Sequence, residues 1–150
     1  MIHFNDVETY FWERIDKGMH IVIATSAKDK VTARTVTVVP LNNKLYFPTW
    51  SNTTKYEQIT ANNNVALSLD AIQLTGTAAD VGHPNDEKNK EFSKRFKDTF
   101  PTGFDEFCTS EYAVVIEISL EDVMFNQVGT GEMYKADLKE KTFDELGYTE

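Results

Sequence analysis

The sequence predicts a mostly β protein, a small antiparallel barrel of at least six strands with three short flanking helices. Its apolar segments are mostly short, repeat with a period near two and are separated by tight turns, as in a meander. No long alternation of strands and helices is present, which a Rossmann-type sheet would require. The length of 150 residues suits one domain over residues 1–150. The packing of the tail from about residue 129 is left open.

Charge and composition exclude several classes of protein. The formal charge of -9 argues against nucleic-acid binding, which needs a basic surface. No apolar run approaches the length of a membrane span, and the acidic N-terminal segment does not resemble a signal peptide. The single cysteine, Cys108, cannot form an internal disulfide. We therefore expect a cytoplasmic protein with neither nucleic acid nor a membrane as partner.

The first half of the chain supplies one helix and three strands. Periodic apolar residues predict a helix over 5–17, with Asn5 as its N-cap and Gly18 at its end. The pattern then changes to period two, and β-branched residues become common. Strands are predicted at residues 20–27, 31–40 and 44–50, the last two joined by a turn at 41–44.

The second half repeats this pattern around two further helices. A short helix begins near Ser51–Thr53 and ends at residues 62–64, and a charged helix covers roughly 85–97. Gly76 is predicted to form a bulge or a close backbone contact. Strands are predicted at residues 65–70, 71–81, 112–120 and 123–128.

The segment YFPTWSNTTKYEQI carries the clearest chemical signal. A strand leads into a tight loop, and a helix then begins with hydroxyl residues and a lysine, Thr53, Thr54 and Lys55. The first turn of a helix has unpaired N–H groups and a partial positive charge. Such a site can bind a phosphate despite the acidic excess of the chain. The alternative is an ordinary helix cap with a solvated lysine.

Arg34 is the second candidate for anion binding. Strand alternation places it on the face of Val36 and Val38, opposite Thr35 and Thr37. A guanidinium on an apolar face needs an anion, and it binds phosphate with a bidentate fork. An internal ion pair with one of the many acids, or a position at the sheet edge, is the favoured explanation when Arg34 is considered alone.

These segments together resemble the pyridoxamine 5′-phosphate oxidase-like superfamily, which has an FMN-binding split β-barrel fold. The resemblance covers about residues 19–81 as an ordered series of short motifs with matching gaps. The motifs are Ala33-Arg34-x-Val36, Tyr46-Phe47-Pro48-Thr49, Thr53-x-Lys55, Asn64-x-Ala66-Leu67 and Gln73-Leu74-x-Gly76.

The resemblance implies an FMN site at the interface of a homodimer. Arg34 and the Thr53-x-Lys55 pair would hold the phosphate, and Gln73 would come from the partner or reach the ring edge. The strand around Arg34–Val36 and the Pro48-Thr49 pair would flank the rings. The implied cofactor-binding residues are Arg34, Thr35, Val36, Pro48, Thr49, Thr53, Thr54, Lys55 and Gln73. Ser51 is a further candidate, and Trp50 is predicted to pack or to touch the flavin.

Three departures from the family pattern argue against a true pyridoxamine-phosphate oxidase. Val39 stands where those oxidases have a lysine, and Thr54 replaces a second basic residue beside Lys55. The C-terminal segment also lacks their substrate-binding basic and histidine motif. A related flavoprotein is therefore expected, an oxidoreductase that transfers electrons between NAD(P)H and a small acceptor.

Other functions fit the same sequence. A flavin-binding protein without catalysis, a redox sensor, a relative that uses deazaflavin F420 or haem, and a barrel module without cofactor all remain open. No residue stands out as a catalytic base, so the catalytic residues are unknown. The three histidines lack metal-ligand spacing, and His83 is at best a weak haem ligand. Cys108 lacks basic neighbours that would activate its thiol.

Overall fold

The fold is described by a computed structural model covering residues 4–16, 18–126 and 133–146. Its helices are α1 (Phe4–Arg14), α2 (Thr54–Ala61), α3 (Lys90–Thr99) and α4 (Pro101–Phe107). A 3₁₀ turn, Glu87–Asn89, precedes α3. The strands are β1 (Met19–Ala27), β2 (Lys30–Leu41), β3 (Lys44–Trp50), β4 (Asn64–Leu69), β5 (Ile72–Asp80), β6 (Ala113–Asn126), β7 (Met133–Asp137) and β8 (Thr142–Leu146).

Six of these strands close into an antiparallel barrel. The hydrogen-bonded order is β3-β2-β1-β4-β5-β6, and a pairing between β3 and β6 closes the circle. The strands β7 and β8 extend the sheet beyond β6. The predicted fold class is thus confirmed, a mostly β protein with an antiparallel barrel of at least six strands and short flanking helices.

The prediction of two separate final strands is wrong, because β6 is one continuous strand of 14 residues. Its first half pairs with β3, and residues Asp122 to Asn126 pair with β7 on the same edge. Glu121 and Asp122, which the prediction left between the two strands, lie where β6 passes from one neighbour to the other. The predicted strand end at residues 127–128 lies outside the described residues.

Gly76 lies at an irregularity of the sheet, as predicted. Opposite β6, Thr75 pairs with Asp122 and Gly76 with Leu120, so that Glu121 is the additional residue of a bulge. A side chain at Gly76 would collide with the carbonyl oxygen of Ser119. Glycine therefore permits the close approach of β5 and β6 at this point.

The helices differ from the predicted ones mainly at their ends. The helix α1 begins at Phe4, so the prediction of Asn5 as its N-cap is wrong: Asn5 lies inside the first turn. The helix stops at Arg14, and the predicted end at Lys17 lies outside the described residues. The predicted helix at 85–97 begins only at Lys90, because the chain first turns where Asn89 Nδ2 donates to the carbonyl oxygens of Val81 and His83. The helix α4 was not predicted.

Two groups of buried residues stabilise the barrel. The larger fills its interior with aliphatic and aromatic side chains from most strands, from α1 and from Ile59 of α2. The smaller lies beneath α3 and includes Val39, Phe92, Phe96 and Cys108. The tail, whose packing was left open, contributes buried Tyr134 and Ala136 of β7. In the described part of the chain no helix is long and apolar enough to span a membrane.

Candidate functional site

A pocket of about 220 Å³ opens where β2 and β3 meet the start of α2. Its wall combines hydroxyl groups, one lysine and apolar or aromatic side chains. It is lined by Thr35, Val36, Thr37, Pro48, Thr49, Trp50, Thr53, Lys55 and Phe107. Trp50 is fixed in this wall, because its indole N–H donates to the carbonyl oxygen of Phe107 over 3.2 Å.

The start of α2 presents hydrogen-bond donors at this pocket. Thr53 is the N-cap: its hydroxyl donates to the carbonyl oxygen of Trp50 over 2.8 Å and accepts from the N–H of Tyr56. The described chain offers no acceptor to the backbone N–H groups of Thr54 and Lys55. The donors available to an anion here are therefore backbone amides and the Lys55 ammonium, while the Thr53 hydroxyl proton is engaged in the cap.

Arg34 lies at the end of the barrel interior, where the inward face of the sheet changes from apolar to polar. Its Nη1 donates to the hydroxyl of Thr25 over 2.8 Å, and Nη2 donates to the hydroxyl of Thr32. Both threonine hydroxyls donate in turn to Oε1 of Gln58, each over 2.6 Å. This Arg34 network joins β1, β2 and α2.

Arg34 and Lys55 are close enough to affect each other electrostatically. Burial lowers the pKa of Lys55, and the positive charge of Arg34 lowers it further. Burial also lowers the pKa of Arg34. Within the described residues neither cation forms an ion pair with a carboxylate, so the internal ion pair considered for Arg34 is not found there. Two half-buried cations without an acid create a site that favours an anion.

Most of the predicted site residues lie together. Thr35, Val36, Pro48, Thr49, Thr53 and Lys55 line the pocket. Arg34 does not line it, but its charge acts on Lys55. Thr54 is exposed at the first position of α2, and Ser51 is half-buried in the preceding loop.

Gln73 is not brought to the pocket of its own chain. It is exposed on β5, where it pairs with Ser68 of β4 and Met124 of β6. Two strands, β1 and β4, separate β5 from the Thr35 side of β2 in the sheet.

Thr37, Phe107 and Gln58 were missed by the sequence analysis. Thr37 could have been found, because strand alternation puts it beside Thr35 on the outer face. Phe107 belongs to α4, which has no clear helical signal after Pro101 and Gly103. Gln58 was indistinguishable from a surface residue of a short polar helix, and only burial against β1 and β2 reveals it.

The side chains of His83 and Cys108 are engaged or buried in the described chain. His83 Nδ1 accepts from the N–H of Asn85, and Nε2 lies 2.9 Å from the carbonyl oxygen of Ser110, so both ring nitrogens are occupied. Burial raises the pKa of the Cys108 thiol to about 12, which makes it unreactive. Among the described residues, no three acidic, histidine or cysteine side chains are grouped as metal ligands.

Comparison with known proteins relates the chain by structure rather than by sequence. No family profile and no curated protein matches it. General stress protein 26 from Bacillus anthracis superposes with a TM-score of 0.65 at 16% identity, covering 79% of this chain and 92% of that one. A proposed pyridoxamine 5′-phosphate oxidase from Listeria innocua superposes with a TM-score of 0.61 at 21% identity, covering 79% and 97%.

Haem proteins share the same architecture. HutZ, the haem storage protein from Vibrio cholerae, superposes with a TM-score of 0.63 at 10% identity, covering 80% of this chain and 92% of that one. These similarities establish the architecture and not a particular cofactor. The closed six-stranded barrel and the solved structures that it resembles show that this chain has the split-barrel fold of the pyridoxamine 5′-phosphate oxidase-like proteins.

Proposed function

We propose that this protein is a flavoprotein that binds FMN in the pocket between β2, β3 and α2 and acts as an oxidoreductase. The observation that carries the proposal is a pair of half-buried cations without a carboxylate partner in the described chain: Lys55, which lines the pocket, and Arg34, whose charge acts on Lys55. Leaving such charges unneutralised is costly in a folded protein. An anionic ligand such as the phosphate of FMN would neutralise them.

The residues present fit FMN in their charge and in the chemistry of the pocket wall. Lys55 and the free amides at the start of α2 would bind the phosphate, with Arg34 adding its remaining N–H donors. The apolar wall of Val36, Pro48 and Trp50 offers a surface against which a flat ring can pack. The hydroxyls of Thr35 and Thr49 would be available for the polar edge of such a ring.

The chain's own contribution to catalysis would be binding and orientation. Lys55 is the only ordinarily titratable side chain that lines the pocket, so the described residues supply no separate acid–base pair there. A bound flavin supplies the electron chemistry itself, here between NAD(P)H and a small acceptor. A flavoprotein that binds a redox partner without turnover is the alternative within the same proposal.

We further propose that the protein is a homodimer and that the partner covers the outer face of the barrel beside this pocket. This outer face, on β2, β1, β4 and β5, carries no Asp, Glu, Lys or Arg side chain although 26% of the sequence is charged. Val31 is 71% exposed and Val22 is 41% exposed on it. It consists of Val22, Ala24, Val31, Ala33, Thr35, Ala66, Ser68, Gln73 and Thr75.

Exposed uncharged faces of this kind mark contact surfaces in proteins. Two residues, Thr35 and Gln73, support the position of this interface. Thr35 belongs both to the outer face and to the pocket, so a partner seated there would close the open side of the pocket. Gln73 also lies on the outer face, where a partner's pocket could reach it.

The proposal is tested by titrating the purified protein with FMN and with riboflavin, which differ only in the phosphate. FMN is expected to bind at about one per chain and at least tenfold more tightly than riboflavin, since a charge-assisted phosphate contact contributes about 1.5–3 kcal/mol. Equal affinities would contradict a phosphate site at Arg34 and Lys55.

The same preparation distinguishes the alternatives. A Soret band after haem titration, without flavin binding, would favour the haem-binding relatives. Retention of F420 in place of FMN would indicate a deazaflavin protein. Bound FMN that NAD(P)H does not reduce in the presence of acceptors would favour the redox-partner function.

A further inference from the structure

We infer that Gln58 is a positioning residue of the anion site, holding the guanidinium of Arg34 in place through the hydroxyls of Thr25 and Thr32. The inference rests on the proposed function, because it concerns the side chain that fixes Arg34 in the same proposed anion site. Gln58 lies on α2 three residues after Lys55, and it is 7% exposed. One side chain therefore connects the element that carries Lys55 to the strand that carries Arg34.

The hydrogen bonds around Gln58 have only one consistent direction. Arg34 can only donate, so the hydroxyls of Thr25 and Thr32 accept from its two terminal nitrogens. Each hydroxyl must then donate its proton elsewhere, and Oε1 of Gln58 lies 2.6 Å from both. If the amide were reversed, its NH₂ group would face two hydroxyls that also receive Arg34, and their protons would lack this acceptor.

Burial makes this arrangement rigid. Thr25 is only 1% exposed, so water does not readily replace Gln58 as the acceptor. Without Oε1 the hydroxyl of Thr25 would have to turn toward Thr32, whose Oγ1 lies 3.5 Å away, or remain unsatisfied. Either change disturbs the orientation in which the two oxygens receive the guanidinium of Arg34.

The fixed orientation of the Arg34 guanidinium matters because some of its N–H groups are already hydrogen-bonded. Thr25 and Thr32 take one N–H from each terminal nitrogen, and the carbonyl oxygen of Ile23 lies 3.4 Å from Nη1. The second N–H of Nη2 and the Nε–H are therefore the donors left for a ligand. A fixed guanidinium binds an anion without first losing side-chain freedom. Gln58 thus sets the direction of a charge that it does not itself contact.

The experiment compares Gln58→Met, Arg34→Met and the double variant by their affinities for FMN and riboflavin. Methionine keeps the length and the buried volume of glutamine but removes the acceptor. Gln58→Met is expected to weaken FMN binding about tenfold and to leave riboflavin binding unchanged. In the Arg34→Met background the same substitution is expected to have no further effect, because Gln58 acts through Arg34. Additive effects of the two substitutions would overturn the inference.

Ile59→Met is the matched control. Ile59 neighbours Gln58 on α2 and is 3% exposed, but it packs in the barrel core and does not take part in the Arg34 network. Its replacement is expected to lower stability while preserving the preference for FMN over riboflavin. If Ile59→Met also lost that preference, any disturbance of α2 would abolish it. The effect of Gln58→Met would then reflect a merely structural role.

A measurement on the free protein separates this inference from the proposed function. In ¹⁵N NMR spectra the guanidinium N–H signals of Arg34, assigned by Arg34→Lys, are expected to be resolved because rotation is restricted. In Gln58→Met they are expected to merge through exchange. Unchanged signals would overturn the inference whether or not FMN binds, whereas merged signals without FMN binding would remove only the proposed ligand.

Discussion

Lys55 is a charged residue that the proposed anion site would use and that burial disfavours. Burial and the neighbouring Arg34 lower its pKa below 10.5 in the folded state. The unfolded chain therefore binds more protons between the lowered pKa and 10.5, and the stability contributed by this residue rises with pH in that window. At neutral pH the charged form destabilises the protein relative to a neutral side chain.

Lys55→Met is accordingly expected to increase stability and to weaken binding. The gain in unfolding free energy at pH 7, measured by urea denaturation, should be at most about 1 kcal/mol because the partly exposed site is screened by solvent. The gain should shrink as the pH approaches 10.5. The Kd for FMN should rise about tenfold or more.

The control for this prediction is Lys135→Met, at an exposed lysine of β7 outside the pocket. It should change neither stability nor FMN binding appreciably. A Lys55→Met variant that is less stable than wild type at pH 7 would show that the ammonium has a stabilising partner.

Glu117 shows the opposite dependence on pH. Burial by itself raises the pKa of Glu117, but hydrogen bonds from Lys44 over 3.0 Å and from Tyr46 over 2.9 Å lower it below 4.5 overall. A lowered carboxyl pKa contributes stability above the unfolded value, and this stability is lost as the pH falls through the folded value.

Glu117→Gln is therefore expected to reduce the unfolding free energy by about 1 kcal/mol at pH 7. The difference from wild type should narrow as the pH falls below 4.5. Denaturation curves at several pH values measure this, with FMN affinity as a control that should stay constant. A difference that does not depend on pH would mean that the charge of Glu117 is irrelevant.

At the scale of elements, the bulge between β5 and β6 depends on Gly76. Gly76→Ala is expected to lower the unfolding free energy by about 2–3 kcal/mol, because the added methyl group meets backbone that cannot easily move. Thermal denaturation provides the measurement.

Gly103→Ala is the matched control for the bulge. A Cβ there would lie 3.5 Å from its nearest neighbours, and alanine favours the helix α4. The variant should be as stable as wild type or slightly more stable. Equal losses at both glycines would argue against a specific steric clash at the bulge.

The helix α2 illustrates how far local sequence determines an element. Residue type predicted a cap among Ser51, Asn52 and Thr53, because their side chains can accept from the first free N–H groups of a helix, and the structure places it at Thr53. The proposed anion site, however, needs Arg34, which lies 21 positions before Lys55 in the sequence. Pairing of β1 with β2 and packing of α2 against β1 bring the two cations near each other.

At the scale of the whole molecule, Ala66→Glu tests the proposed dimer. Ala66 is exposed on the outer face between Ala24 and Thr75. A carboxylate buried there would be unpaired, and the variant is expected to sediment as a monomer and to bind FMN at least tenfold more weakly.

Ala71→Glu, in the exposed turn between β4 and β5, is the control with the same substitution outside this face. It should remain dimeric. A wild-type monomer, or an Ala66→Glu dimer with full FMN affinity, would contradict a dimer built on the outer face.

The sequence by itself determined the β class, most strand positions, the irregularity at Gly76 and the start of α2 near Ser51–Thr53. Period-two alternation, turn residues and capping act over a few residues, so they can be recognised locally. The ordered motifs also identified six residues that line the pocket. The sequence pattern divided β6 into two predicted strands, because it cannot show that a single strand passes from β3 to β7 along one edge.

Only the tertiary structure decided which distant residues act together. Closure of the barrel through β3 and β6, the Phe107 wall of the pocket and the Arg34 network all depend on contacts between segments far apart in the chain. Gln58 is polar on a short polar helix, and nothing local separates it from a solvated side chain. Its importance arises because packing removes water and leaves the two threonine hydroxyls dependent on Gln58 as their acceptor.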